Sequence, residues 1–112
     1  MAENKLADMS TEFAVKILTL TDFIKGHYSL ANQLERSGTS IGANVAEARH
    51  GQSRLDFASK LNIALKEAAE TDYWLRLLHE TDYLNKPQFD SLIADCDEIE
   101  RILIAIVKSS KK

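Results

Sequence analysis

Apolar residues recur along this chain at intervals of three and four in four long segments, the spacing of one helix face rather than the alternation of a half-buried strand. The first segment carries Phe13, Ile17, Leu20 and Ile24, with Ser10 as its expected N-cap, a stop near Gly26, and residues 1–9 forming a loose N-terminal arm. The second is expected from Tyr28 or Ser29 to about Arg49, on a seam of Leu30, Leu34, Ile41, Val45 and Ala48, with Gly51 marking its end. Ser53 can cap a third segment that carries Leu55, Leu61, Leu65, Leu75 and Leu78. If it reaches Thr81 it spans roughly 40 Å at about 1.5 Å per residue. Asn85, followed by Lys86 and Pro87, opens a fourth segment with Phe89, Leu92, Cys96, Ile99, Leu103 and Ile106, and a short basic tail at 109–112. Short connections make sequential helices antiparallel neighbours, so the chain reads as one all-α domain over residues 1–112, an antiparallel up-down-up-down four-helix bundle.

Two stretches carry more apolar surface than a lone bundle needs. Ile102-Leu103-Ile104-Ala105-Ile106-Val107 is apolar around the whole helix, and the first segment adds Ala14, Val15, Leu18 and Phe23 to its core stripe. Burial between copies would cover the excess, which makes Phe13, Ile17, Ile102, Ile104 and Val107 candidate interface residues and the protein itself the first expected partner.

Composition narrows the class. A chain of 112 residues, 45% hydrophobic, can bury a core without disulfides or structural metal. A single cysteine makes no intrachain disulfide, and there is neither a secretory leader pattern nor an apolar run of about 18 residues. The reducing cytoplasm is the expected location, with no membrane partner. Fourteen basic against seventeen acidic residues give a net charge of −3, the opposite of the basic surplus that phosphate backbones attract.

The second segment contains Gln33-Leu34-Glu35-Arg36-Ser37-Gly38-Thr39-Ser40-Ile41-Gly42-Ala43-Asn44-Val45-Ala46-Glu47, where small and polar residues stand at positions that a bundle helix usually fills with Leu. Gln33, Ser37, Ser40, Asn44 and Glu47 recur every three or four residues as a polar stripe beside the seam. Arg36 is placed to reach Glu67 or Glu70 of the third helix across an antiparallel pair. The resulting network of Gln33, Arg36, Ser40, Asn44, Glu47, Glu67 and Glu70 would serve register and specificity more than net stability. Each glycine here costs about 1 kcal/mol of helix propensity relative to Ala. Close approach of the third helix, or of a helix from an adjacent copy, is the expected reason.

Candidate chemistry is sparse. Glu47-x-x-His50 has the spacing of half a di-iron bundle site, yet neither His27 nor His79 has a Glu three residues before it to complete the set. Cys96 falls on the apolar seam, where it reads as a small core residue. Gly38 and Gly42 make no phosphate loop, lacking the following Gly-Lys and a preceding strand. No catalytic residue, metal ligand, cofactor or small-molecule substrate is assigned, and the chain is not expected to be an enzyme. Lys108, Lys111 and Lys112 suit the negative end of the last helix and, multiplied by symmetry, would form a local basic ring, so nucleic acid is the alternative partner.

Gln33-Leu34-Glu35-Arg36-Ser37, then Ser40-Ile41-Gly42-Ala43-Asn44-Val45-Ala46-Glu47, and then Leu61-Asn62-Ile63-Ala64-Leu65-Lys66-Glu67-Ala68-Ala69-Glu70-Thr71, resemble the four-helix-bundle proteins encoded in intervening sequences of bacterial 23S ribosomal RNA genes. The resemblance runs from about Phe13 to Leu84. Many relatives have proline where this chain has Gly42 and glycine where it has Ala48. The resemblance implies an antiparallel four-helix bundle, a ring-like homopentamer, no established catalytic activity and no small-molecule cofactor. Accessory proteins of diversity-generating retroelements share that bundle and look like basic nucleic-acid binders, a charge this chain lacks.

Overall fold

The computed structural model describes residues 2–110. Among them are four helices, α1 (Ala2–Thr21), α2 (Tyr28–Ala48), α3 (Arg54–Glu80) and α4 (Lys86–Ser110), and no strand. Each helix packs on its neighbours in the chain and α4 closes onto α1, giving an antiparallel bundle with extents of 44 × 21 × 19 Å. Cross-helix pairs fix the directions: Arg36 meets Glu67 and Glu47 meets Lys60 between α2 and α3, while Lys16 meets Asp95 and Lys5 meets Glu98 between α1 and α4.

The helix ends follow local chemistry. Ser53 Oγ accepts from the Asp56 backbone N–H at 3.0 Å. Asn85 and Gln88 form a reciprocal capping box, each side chain accepting from the other's backbone N–H at 2.9 and 3.0 Å. At the end of α3, Asp82 adopts the left-handed conformation (φ 66°), and the Tyr83 N–H donates to the Leu78 carbonyl at 2.9 Å, a Schellman closure made without glycine.

The N-terminus departs from the sequence reading. Residues 2–9 are no loose arm but the first turns of α1, because Leu6 extends the stripe of Phe13, Ile17 and Leu20 by two more turns and is fully buried. Ser10 is therefore no cap. It lies inside the helix with a buried hydroxyl that has no hydrogen-bond partner, packed where α1 crosses Gly42 of α2. At the other terminus Ser109 and Ser110 belong to α4 rather than to a tail, and Lys111 and Lys112 lie outside the described residues.

At Gly38 and Gly42 the expected close approach is made by α1, while Ser37 beside them meets Thr71 of α3. A Cβ on Gly38 would stand 3.1 and 3.2 Å from Cγ1 and Cγ2 of Ile17, and one on Gly42 would touch Ser10 at 3.6 Å. Glycine lets the α1 and α2 backbones draw together, and the tight packing of α1 on α2 offsets the lost helix propensity.

Candidate functional site

The most distinctive polar cluster joins α2 to α3. Arg36 Nη1 donates to Glu67 Oε2 at 3.1 Å, Nη2 to Glu70 Oε2, and Nε to Gln33 Oε1 at 3.2 Å. Trp74 Nε1 donates to the same Glu70 oxygen at 2.8 Å, a partner that sequence spacing did not single out although it is one turn beyond Glu70. Beneath the guanidinium, the fully buried hydroxyls of Ser37 and Thr71 lie 2.9 Å apart, and Thr71 donates to the Glu67 carbonyl at 2.7 Å. Half of the Arg36 side chain remains in solvent, so the cluster is a rim over a buried hydroxyl pair rather than a sealed network.

Ser40 and Asn44 of the expected stripe bond within their own helix. Ser40 Oγ donates to the Arg36 carbonyl at 2.6 Å, and Asn44 Nδ2 to the Ser40 carbonyl at 2.8 Å. Glu47 is exposed and pairs with Lys60 at 3.8 Å, and His50 is exposed beyond the end of α2. Replacing Arg36 with Met should lower the melting temperature by only a few degrees, about 1 kcal/mol for a half-exposed pair, as read by circular dichroism.

A second cluster, on α3 and α4, was hidden in the sequence because its members are distant in the chain. Cys96 Sγ and the carboxylate oxygens of Asp72 and Glu100 lie within 4.8 Å of one another. The thiol is buried, 3.3 Å from the Ala68 carbonyl and 3.6 Å from Glu100 Oε1. Burial, with Glu100 and Asp72 next in effect, pushes the Cys96 thiol far above its ordinary range. Such a thiol is protonated at neutral pH and is neither a nucleophile nor a ready metal ligand. Asp72 is engaged by Arg76 Nε at 2.6 Å.

Glu100 is raised above its ordinary 4.5, first by burial and then by the charges of Asp72 and Asp97, against the lowering effects of the Cys96 hydrogen bond and Arg76. The folded chain thus holds this proton more tightly than the unfolded one. The contribution is fully favourable below the ordinary value and is lost as pH rises through the folded value. Glu100→Gln should therefore melt higher than the parent at pH 7, with the difference vanishing toward pH 4 in a pH series of thermal melts.

The interface candidates divide. Phe13, Ile17 and Val107 are buried in the chain's own core, so they are not surface residues. Ile102 and Ile106 are half-buried against that core, which absorbs most of the apolar excess of α4, and Ile104 alone of the candidates is well exposed, at 40%. Besides Ile104, the large apolar side chains left in solvent are Val15 (57%), Leu18 and Phe23 (75%) of α1 and its following turn, Tyr28 at the start of α2, and Leu55 (79%), Ile63 and Tyr73 of α3. Val15, Thr19, Leu20 and Phe23 line a groove of about 350 Å³ with Gln88, Ser91 and Leu92 of α4. Lys108 is exposed in the last turn of α4.

The family pattern of the 23S rRNA-intervening sequence proteins matches residues 2–105, spanning both the Arg36 signature and the helix it binds. The chain belongs to that family. A solved structure described as a protein with unknown function from the S23 ribosomal protein family of Bacteroides thetaiotaomicron VPI-5482 is 50% identical, with a TM-score of 0.91, 96% of this chain covered and 99% of that one. No curated protein matches the chain. Membership in the 23S rRNA-intervening sequence family thus comes with a fold and no assigned activity. No helix among the described residues is long and apolar enough to cross a membrane.

Proposed function

We propose that this family member is a non-enzymatic, cytoplasmic, self-assembling bundle that acts as a homo-oligomeric scaffold or interaction module, with five copies the number that the family resemblance implies. The observation that carries the reading is the set of large apolar side chains left in water on α1, the turn after it, the start of α2 and α3, led by Leu55 at 79% and Phe23 at 75% exposure. Soluble monomers keep contiguous apolar surface small, and association is the usual way to cover it. The chemistry of the core supports a non-catalytic role, since the one cysteine is buried and protonated, and His79 is stacked 4.2 Å from Phe89. Light scattering of the purified chain tests it: a particle of five times the 12.6 kDa chain is expected, and a monomer at micromolar concentration would overturn the reading.

Nucleic-acid binding is the second reading, favoured by the exposed Lys108 at the end of α4, where symmetry would gather one copy from each subunit. It requires a shift of labelled RNA or single-stranded DNA that weakens steeply with salt. No shift at low salt removes it.

A further inference from the structure

We infer that the groove between the first half of α3 and the last half of α4 binds an acidic amphipathic helix of a partner protein. The partner's apolar face lies on Leu55, Ile63 and Ile104, and its carboxylates meet Lys66, Arg101 and Lys108. The inference rests on the interaction-module reading above and names the chemistry of the partner.

Contacts deeper in the bundle fix which faces border the groove. Cys96 Sγ lies 3.3 Å from the Ala68 carbonyl, and Glu100 stands with it beside Asp72, so this side of α4 faces α3. Ile104 and Lys108 continue the same ridge at four-residue steps, each turned about 40° further from the core, and both are exposed. Antiparallel packing from the Cys96–Ala68 contact sets Ile104 near the height of Ser59 and Lys108 near that of Leu55. Ser110, further along α4, accordingly lines the groove beside Leu55 and Ala58.

The shape suits a helix. The groove encloses about 570 Å³ and lies open along α3 from Leu55 to Lys66. That stretch is about 16 Å, or three helical turns. Leu55, Ile63 and Ile104 are all left in water along it. A small molecule needs enclosure, whereas an amphipathic helix laid lengthwise brings apolar anchors at every third or fourth residue to such an open trough.

Charge selects the kind of helix. Lys66, Arg101 and Lys108 are exposed and make no ion pair among the described residues, and Arg101 Nε donates only to the Asp97 carbonyl of its own helix, at 3.4 Å. The carboxylates of the same stretch are turned elsewhere. Asp56 lies with Glu47 and Lys60 on the side of α3 that meets α2, Glu67 is held by Arg36, and Glu100 is half-buried against Cys96. Asp97, half-buried one turn before Arg101, is the acid that borders the rim. The rim is therefore basic in a chain whose net charge is −3. Unmatched cations around an apolar floor complement a helix whose apolar face is flanked by Asp or Glu, the charges setting orientation and the floor supplying contact. Nucleic acid would leave that floor unused, because bases stack on aromatic rings and the floor is aliphatic. Phe23 and Tyr28 lie at the opposite end of the bundle, so partner binding leaves them to self-association.

Fluorescence anisotropy tests this with a labelled synthetic helix of about four turns, carrying leucine at every third or fourth position and glutamate on both sides. The parent chain is expected to bind it, more weakly as salt rises, and not to bind the same helix with lysine in place of glutamate. Lys66→Glu with Lys108→Glu is expected to weaken binding of the acidic helix at least about tenfold and to bind the lysine helix instead. Leu55→Ser is expected to weaken it by a similar factor. Each altered side chain is exposed, so helicity by circular dichroism should stay at the parent's value. No binding of the acidic helix, equal binding of the two helices, or displacement of the acidic helix by single-stranded RNA overturns the inference, the last by making the groove a nucleic-acid surface. So does a fall in light-scattering mass in these variants, since the groove would then be a contact between copies, and the oligomeric reading would stand. A monomeric parent that binds the acidic helix overturns the oligomeric reading and leaves this one standing.

Discussion

Phe13→Ala is expected to cost about 3–5 kcal/mol of folding stability, which in a domain of this size lowers the melting temperature by more than about 10 °C. Phe13 is 1% exposed and sits at the centre of the α1 stripe, so truncation leaves a cavity walled by side chains already packed by other helices. Phe23→Ser is the matched control. Phe23 is 75% exposed beyond the end of α1, so its loss should change the stability of the isolated chain by less than about 0.5 kcal/mol while weakening association. Thermal melts over a range of protein concentrations separate the two, because a core loss shifts the melt equally at all concentrations and an interface loss does not. A Phe13→Ala protein that melts like the parent but has a lower mass would return Phe13 to the interface.

Gly38→Val should destabilise the fold by about 2–3 kcal/mol through overpacking. Even the Cβ of alanine would come within 3.1 Å of Ile17, a fully buried residue with a β-branched side chain that has one strongly preferred rotamer in a helix. Alanine there gains about 1 kcal/mol of helix propensity and loses a comparable amount to the crowding, leaving little net change. Valine adds two methyl groups and gains less propensity. Combining Gly38→Ala with Ile17→Val should give a protein more stable than the sum of the two single changes predicts, as a double-mutant cycle by chemical denaturation would show. Additivity within about 0.3 kcal/mol would mean that α1 and α2 are not in close contact at this point.

Much of the bundle was legible in the chain because its signals are local. Ser53, Asn85 before Lys86 and Pro87, and the three- and four-residue apolar spacing of α2, α3 and α4 each act within a turn or two of helix, and the structure has α3 and α4 beginning one residue after those caps. The α1 start was misread by the same logic, since Ser10 has the chemistry of a cap and only the burial of Leu6 against the other helices shows that the helix runs past it. The reach of Arg36 to Glu67 and Glu70 was likewise readable, because antiparallel neighbours joined by a short turn bring those positions to one height.

Which face of a helix meets which partner is set by packing, and periodicity is silent about it. Sequence counted the apolar excess of α1 and α4, including Val15, Leu18, Phe23 and Ile104, which are left in water, but its interface candidates also included Phe13, Ile17 and Val107, residues that the core takes for itself, and it did not mark Leu55 or Tyr73 as part of that excess. It marked Gly38 and Gly42 as sites of close approach but not α1 as the helix that approaches, and it had no means of bringing Asp72 to Cys96 and Glu100. By itself the chain determined its family, its four helices and their order, because hydrophobic period, capping and turn chemistry are short-range. The choice of neighbour for each small residue, the destination of each excess apolar side chain and the protonated state of Cys96 were decided by the tertiary structure, because each depends on groups brought together from distant parts of the chain.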